Sequence, residues 1–365
     1  MAGGGGAAVR IGIVGCATIA RKLCRAISLA PNATLAAVAS RSLSKAEAFK
    51  SSNNLEDSVR LYGDYESLLD DPSIDAVYIP LPTSLHVNWA VAAAEKKKHI
   101  LLEKPTAMNV AELDVIIQAC DVNGVQFMDG TMWMHHLRTN KMKEVISDPS
   151  LFGDLKIVHS NFTFHSDSDF LANDIRTKSD LDGLGALGDA GWYCIRSILW
   201  AADYKLPNFV VADRNPTFND AGVVLSCGAT LIWENDGLIA TFHCSFQANM
   251  SMDLCVTGTK GIIHVNDFIV PFEETAASFT LSTNGCLTEL ATGWKHPLPS
   301  EQVVRMEIPQ EARMVVEFSK LVASVRDEHR RPEMKWADIT RKTQLVVDSV
   351  LGSIENGFKP VDVHQ

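Results

Sequence analysis

The sequence predicts an α/β protein: a doubly wound parallel sheet over residues 9–130, followed by an α+β region over 131–365 dominated by antiparallel strands. Three observations carry this. Up to about residue 130, short apolar runs bounded by turn residues alternate with helical stretches, the rhythm of a parallel sheet. Beyond it, apolar and polar residues alternate over longer stretches with turn chemistry between them, as in antiparallel strands with one solvated face. A length of 365 residues also exceeds what one core usually serves, so two domains are expected.

Val9, Ile11, Ile13 and Val14 form a run too short for a helix and suited to a buried strand. It breaks at Gly15, and Gly15-Cys16-Ala17-Thr18-Ile19-Ala20 fills the slots of the G-x-G-x-x-G/A dinucleotide turn. Small residues there let backbone N–H groups and a helix N-terminus approach a pyrophosphate. Ala17 carries a Cβ in the second glycine slot, and an ordinary strand-to-helix turn would use similar residues. Ile19, Leu23, Ala26 and Ile27 then recur at helical spacing until Pro31, and Leu35–Val38 supply the second strand. Where an NAD-preferring fold carries an acid for the ribose hydroxyls, Ser40-Arg41 stands, with Lys45 close behind. A hydroxyl and two cations suit a ribose 2′-phosphate, since one guanidinium contact is worth roughly 1.5–3 kcal/mol. The expected cofactor is NADP rather than NAD; the other reading is a solvated Arg and Lys opening a surface helix.

The alternation continues with a helix over 45–50, a strand over 59–62, a brief helix over 65–69 and a buried strand over 74–81. Thr83-Ser84 caps a helix over 85–96, and a strand at 99–102, a helix at 109–123 ended near Gly124 and a strand at 125–128 follow. After a helix over 141–147, strands are expected at 156–164, 223–233, 237–246, 253–257 and 261–265, with helices at 311–329 and 336–355. Residues 1–8 form a glycine- and alanine-rich tail, expected to be disordered. They lack the basic and apolar regions of a signal peptide, and no apolar run is long enough to span a membrane, so the cytoplasm is the expected compartment. A formal charge of −11 repels nucleic acid and anionic membrane and favours a small-molecule partner. The eight cysteines, from Cys16 to Cys286, include no C-x-x-C pair and read as reduced core residues. No His, Cys and carboxylate set at ligand spacing supports a metal.

In open α/β sheets ligands bind beyond the carboxyl ends of the strands. This points to Pro82, Thr83 and His86 after one strand and to Glu103-Lys104-Pro105 after the next. Charges at the end of a buried strand cost several kcal/mol unless paired or used. Glu103-Lys104 therefore reads as chemistry or as a pair stitching two loops. His86 reads as a helix-start residue bonded to nearby backbone and lining the cofactor site, rather than as a base.

Together with Gly183-x-Gly185-Ala186-x-x-Asp189-x-Gly191-x-Tyr193, these motifs resemble the Gfo/Idh/MocA oxidoreductase family over nearly the whole chain. The resemblance implies an N-terminal Rossmann domain and a C-terminal α+β domain for substrate binding and dimerisation, built on an open, mainly antiparallel sheet whose free face pairs two copies into a homodimer. It implies NADP-dependent hydride transfer between the nicotinamide and a sugar, cyclic polyol or vicinal diol and the matching carbonyl. Lys104 takes the position of the family's active-site lysine. Tyr193 stands where many members carry His, as in the dimeric dihydrodiol dehydrogenase and glucose–fructose oxidoreductase branch. Ionising a tyrosine at pH 7 costs roughly 4 kcal/mol, and an adjacent ammonium lowers that cost. Lys104 and Tyr193 would then pass a proton to or from the carbonyl oxygen, with Asp189 orienting the pair or the substrate. Arg176 and Trp133 would face the cofactor, and His135 and His136 the same cleft, although many relatives carry Arg where one of these histidines stands. Two other readings stay open: a non-catalytic NADP-binding regulator on the same scaffold, and reduction of a non-sugar carbonyl or imine.

Overall fold

The computed structural model describes residues 7–283, 285 and 298–364; Cys286 and the glycines of the expected tail lie outside them. The chain divides into two compact units, Met1–His135 with Ile308–Arg341, and His136–Glu307 with Lys342–Gln365. A single boundary near residue 130 therefore has to be corrected: a segment from far along the chain belongs to the first unit.

In that unit, among the described residues, six parallel strands take the order β3-β2-β1-β4-β5-β6. They are β1 (Val9–Val14), β2 (Ala33–Ala39), β3 (Arg60–Tyr62), β4 (Ala76–Ile79), β5 (His99–Leu102) and β6 (Phe127–Asp129). Helices α1 (Thr18–Leu29), α2 (Leu43–Ser52), α3 (Tyr65–Leu69), α4 (His86–Glu95) and α5 (Val110–Asn123) connect them. The strand order reverses between β1 and β4, which puts the ligand crevice of such a sheet at the turns following these two strands. Two apolar cores lie on the sheet. One gathers Val14, Val77, Ile79, Ile100 and Leu113. The other joins Ile11, Ile13, Leu23 and Ile27 to Met314, Val315, Phe318 and Val322 of the helix Gln310–Glu328.

That second core explains why residues 308–341 return. The helix Gln310–Glu328 presents its apolar stripe to α1, and the sheet face under α1 gains a cover it would otherwise lack. Polar contacts at the rim hold it: Lys22 Nζ meets Glu311 Oε1 at 2.5 Å and Asn32 Nδ2 donates to the Val316 carbonyl at 3.0 Å. Arg326 Nη2 donates to the Ala7 carbonyl at 2.5 Å, so Ala7, counted in the disordered tail from sequence, is held in place.

The second unit opens with α6, Leu137–Ile146. It starts earlier than the expected 141 because His136 Nδ1 accepts the Arg138 N–H at 2.8 Å and caps it. Among its described residues the sheet runs β15-β14-β13-β12-β7-β11-β10-β8-β16, with β9 beside β10. These strands are β7 (Leu155–His165), β8 (Phe209–Ala212), β9 (Thr217–Phe218), β10 (Val224–Trp233), β11 (Leu238–Ser245), β12 (Gln247–Gly258), β13 (Gly261–Val265), β14 (Ala276–Thr283), β15 (Ser300–Arg305) and β16 (Val361–Asp362). All pairs are antiparallel except β7 with β11. The strands missed from sequence, β8, β9, β14, β15 and β16, are short or lie toward the sheet edges, so any alternation runs over only a few residues in each.

Between β7 and β8 come α7 (Ser168–Asn173) and α8 (Trp192–Ala201). Helix α8 covers one face of the sheet. Ser197 Oγ bonds Ser160 Oγ of β7 at 3.0 Å, and Arg196 Nε donates to Thr343 Oγ1 of the last helix, Lys335–Glu355, at 2.7 Å. On the opposite face Ile239, Ile157, Thr257 and Ile262 are successive cross-strand neighbours, and the three isoleucines are 49%, 54% and 41% exposed.

Candidate active site

In the first unit the turn after β1 has Gly15 at φ +118°, with its N–H bonded to the Ala39 carbonyl at 3.0 Å. A Cβ there would lie 2.8 Å from Leu81 Cδ2. Helix α1 follows directly, its N-cap Ala17 offering no side-chain bond and its first turn no carboxylate. No side-chain cap or carboxylate of its own first turn thus answers its N–H groups and its positive dipole end. At the end of β2, Ser40 is buried while Arg41 and Lys45 are exposed. Cys16 joins them: burial pushes its thiol up, opposed by a hydrogen bond with Ser40 and by the charge of Lys45. The Arg41 charge reaches Tyr65, whose hydroxyl is pushed up by burial. Gly15, Cys16, Ala17, Thr18, Ile19, Ser40, Arg41 and Lys45 thus follow the neighbouring ends of β1 and β2, and this donor set of backbone N–H groups, a hydroxyl and two cations fits a phosphorylated dinucleotide.

The turns after β4 and β5 stand beside it. Pro82 leads a short 3₁₀ turn, Thr83–Leu85, in which Thr83 is buried. His86 is also buried, its Nε2 2.8 Å from the Leu81 carbonyl and its Nδ1 3.2 Å from the Thr106 carbonyl, so the ring ties the two turns together. Lys104 is half-buried. Glu103, expected toward the cofactor, turns inward. It is 6% exposed, Tyr78 Oη donates to its Oε1 at 2.5 Å, and the Lys104 N–H donates to its Oε2 at 3.1 Å. Trp133 is likewise in the interior, and His135 stacks on Trp336 with ring centroids 4.8 Å apart. Trp133, read as facing a cleft, is packing within its unit, whereas His135 is half-buried against Trp336.

In the second unit Gly185 takes φ +57° against β10, and a π-type turn over Leu187–Gly191 leads into α8. Tyr193 lies in the first turn of α8, buried, with its ring edge-on to Phe162 of β7 at 5.9 Å. Asp189 pairs with Arg176: Oδ1 lies 3.1 Å from Nε, and Asp174 Oδ1 lies 3.1 Å from Arg176 Nη1. The charge of Asp189, then that of Asp174, holds the guanidinium well above its ordinary value, against the pull of burial. Arg176, expected at the cofactor, is therefore engaged by the carboxylate assigned to orient the chemistry. His136 is buried as the cap of α6.

Sequence reading missed Tyr78 and Asp174. Tyr78 carried a signal, since a tyrosine inside a fully buried strand needs a hydroxyl partner; Asp174 carried none beyond proximity to Arg176. Among the described residues no group of three or more His, Cys, Asp or Glu side chains is arranged to hold a metal, and no helix is long and apolar enough to cross a membrane.

A parallel sheet with a glycine turn opening a helix at its switch point, and a lysine just past the end of β5, is a build shared by nicotinamide-dependent oxidoreductases. Residues 9–131 match the oxidoreductase family with an NAD-binding Rossmann fold, and residues 139–264 match the Gfo/Idh/MocA C-terminal domain. The chain belongs to the Gfo/Idh/MocA oxidoreductase family. It is 33% identical over 276 residues to a D-xylose 1-dehydrogenase (NADP(+)) of Haloferax volcanii, covering 75% of this chain and 81% of that one. It is 27% identical over 300 residues to the trans-1,2-dihydrobenzene-1,2-diol dehydrogenase of Sus scrofa, covering 80% and 81%. The fold is shared with a single-residue mutant of a 3-ketoreductase from Actinomadura kijaniata solved with TDP-benzene and NADP, at a TM-score of 0.80 and 23% identity over 94% of this chain and 97% of the other.

Proposed function

We propose that the chain is an NADP-dependent oxidoreductase that moves hydride between the nicotinamide and a sugar, cyclic polyol or vicinal diol and its carbonyl form. The observation that carries this is the uncapped start of α1 beside Ser40, Arg41 and Lys45, a cradle for a pyrophosphate next to a cationic seat for a 2′-phosphate. Two relatives named for D-xylose and for a dihydrobenzenediol support the substrate class. When bound, the nicotinamide supplies or accepts the hydride.

The chain's own residues supply the proton. Lys104, at the end of β5, and Tyr193, at the start of α8, act as one acid–base unit: Tyr193 Oη exchanges a proton with the substrate oxygen, and the Lys104 ammonium stabilises the oxygen while it is anionic. Asp189, tied to Arg176, orients Tyr193 or the substrate. The alternative, a cofactor-binding regulator, would have no use for Lys104 and Tyr193 in these positions. A second copy of the chain covers the sheet face bearing Ile157, Ile239 and Ile262, forming a homodimer; Ile157→Lys should convert it to monomer in sedimentation. The half-buried and buried free thiols suit a reducing compartment, the cytosol.

The test is purified protein titrated with NADPH and NADH by nicotinamide fluorescence, then assayed by absorbance with aldoses, cyclitols and dihydrodiols. Tight NADPH binding with turnover of at least one class is the expected result. NADPH binding without turnover on any of them would establish the regulator instead.

A further inference from the structure

Glu103 is buried in the first unit at the carboxyl end of the parallel sheet, next to the lysine assigned to the chemistry. Its two carboxyl oxygens are divided between two donors. Tyr78 Oη, from β4, donates to Oε1 at 2.5 Å, and the Lys104 main-chain N–H donates to Oε2 at 3.1 Å. On the far side stands Gly130, where a Cβ would come 2.9 Å from Oε1. The Glu103 N–H donates to the Ile79 carbonyl at 3.2 Å, and the Gly130 N–H to the Leu102 carbonyl at 2.7 Å. The carboxyl is thus enclosed between the ends of β4 and β6. An acid buried this deeply is costly unless satisfied, and neither bond is needed to build the sheet, whose ladder is complete without them.

We propose that Glu103 is a positioning residue of the reaction, and that Tyr78 positions Glu103: the carboxylate accepts from Tyr78 Oη and the Lys104 amide together and so fixes the backbone from which the Lys104 side chain extends. This rests on the reading of Lys104 as catalytic. An ionised carboxyl accepts both bonds with its charge behind them; once protonated it donates to Tyr78 Oη instead, and its remaining acceptor oxygen holds the Lys104 N–H only as a weaker, neutral bond. The titratable groups facing it are Tyr78 on β4, Lys104 on its own turn and Asp129 at the end of β6, which is itself bonded by Thr131 and by Thr340 Oγ1. Burial raises the proton affinity of Glu103; Lys104 and Tyr78 oppose this and Asp129 adds to it. Protonation therefore sets in above the ordinary carboxylate range, and grip on Lys104 is strongest at higher pH and weakens as pH falls.

The experiment uses the full chain with NADPH and the best substrate from the panel. Glu103→Gln should lower kcat about tenfold or more, with KM and the NADPH dissociation constant within about twofold, the signature of a group acting on the reacting assembly rather than on binding. Tyr78→Phe should lower kcat about three- to tenfold, and the double variant should be no worse than Glu103→Gln alone, because the two side chains act in series. In the unmodified enzyme kcat should fall on an acid limb above the ordinary carboxylate range, and that limb should vanish in Glu103→Gln. A limb that persists in Glu103→Gln, or multiplied losses in the double variant, would overturn the proposal. Should Glu103→Gln fail to fold, Tyr78→Phe alone decides: wild-type kcat with an unmoved limb refutes it. Lys104→Met separates this from the parent reading: if it turns over normally, the catalytic assignment itself is wrong, whereas a dead Lys104→Met beside an unaffected Glu103→Gln sinks only the positioning role.

Discussion

Gly15 and Gly185 both adopt a positive φ, +118° and +57°, shortly before a helix that carries site residues, yet their surroundings differ. At Gly15 an added Cβ would meet the flexible end of Leu81, at 2.8 Å; at Gly185 it would meet the Val224 carbonyl oxygen of β10 at 2.1 Å. At the first glycine the close neighbour is a side-chain end that can swing aside. The second lets the chain press against a strand from elsewhere in the sequence, so that α8 and Tyr193 are seated on the sheet. One site is made by a local turn, and the other by packing.

The largest expected effect tests whether the two sites work together. Tyr193→Phe should lower kcat by roughly 10²–10⁴-fold with NADPH affinity nearly unchanged, and Lys104→Met by a similar factor, the double variant adding little. Full multiplication of the losses in steady-state kinetics would mean that each residue acts alone; near-normal turnover of Tyr193→Phe would make the tyrosine packing.

Next comes the contrast between the glycines. Gly185→Ala should cost about 3 kcal/mol of stability, from the left-handed backbone and a clash with main chain that cannot move aside. Gly15→Ala should cost less stability and instead weaken NADPH binding. Urea unfolding and fluorescence titration of both variants read this directly, and equal stability losses would erase the distinction drawn here.

A pH effect sharpens the picture of the first unit. His99 is buried with its Nδ1 accepting the Gln126 N–H at 2.8 Å, and burial pushes the imidazole down to about 4 from its ordinary 6.5. Between these values the unfolded chain binds the proton and the folded one does not, so stability rises with pH. Its contribution is complete above about 6.5 and is lost as pH falls to about 4, about 3 kcal/mol in all. His99→Asn should flatten that part of the Tm–pH curve; an unchanged slope would place the titration elsewhere.

The smallest effect concerns the cofactor alone. Arg41→Ala should remove most of an NADPH preference of about tenfold or more, roughly 1.5–3 kcal/mol, while leaving NADH affinity in place. A preference that survives the substitution would shift the role to Ser40 and Lys45.

Read without coordinates, residues 9–62 already disclose the first strand, its glycine turn, the helix and the Ser40-Arg41 strand-end, because each depends on spacing and backbone within a few residues. Lys104 and the Asp189–Tyr193 stretch were legible for the same reason, as short motifs at strand and helix ends. Side-chain direction was not. Glu103 could have faced a ligand or the interior, and Tyr78, twenty-five residues earlier, decides it by donating to the carboxylate. Arg176 could have served a cofactor, and Asp174 and Asp189 claim it. Trp133 could have lined a cleft, but the interior of its own unit takes it, and half-buried His135 stacks on Trp336, brought in by the returning segment. The apolar stripe of Gln310–Glu328 was plain in the sequence, but its partner was not, since a stripe says only that a face must be buried. Local backbone preference is written in neighbouring residues, whereas the cost of burying a charge or an apolar face is met by groups far away in the chain, and only the folded chain selects which ones.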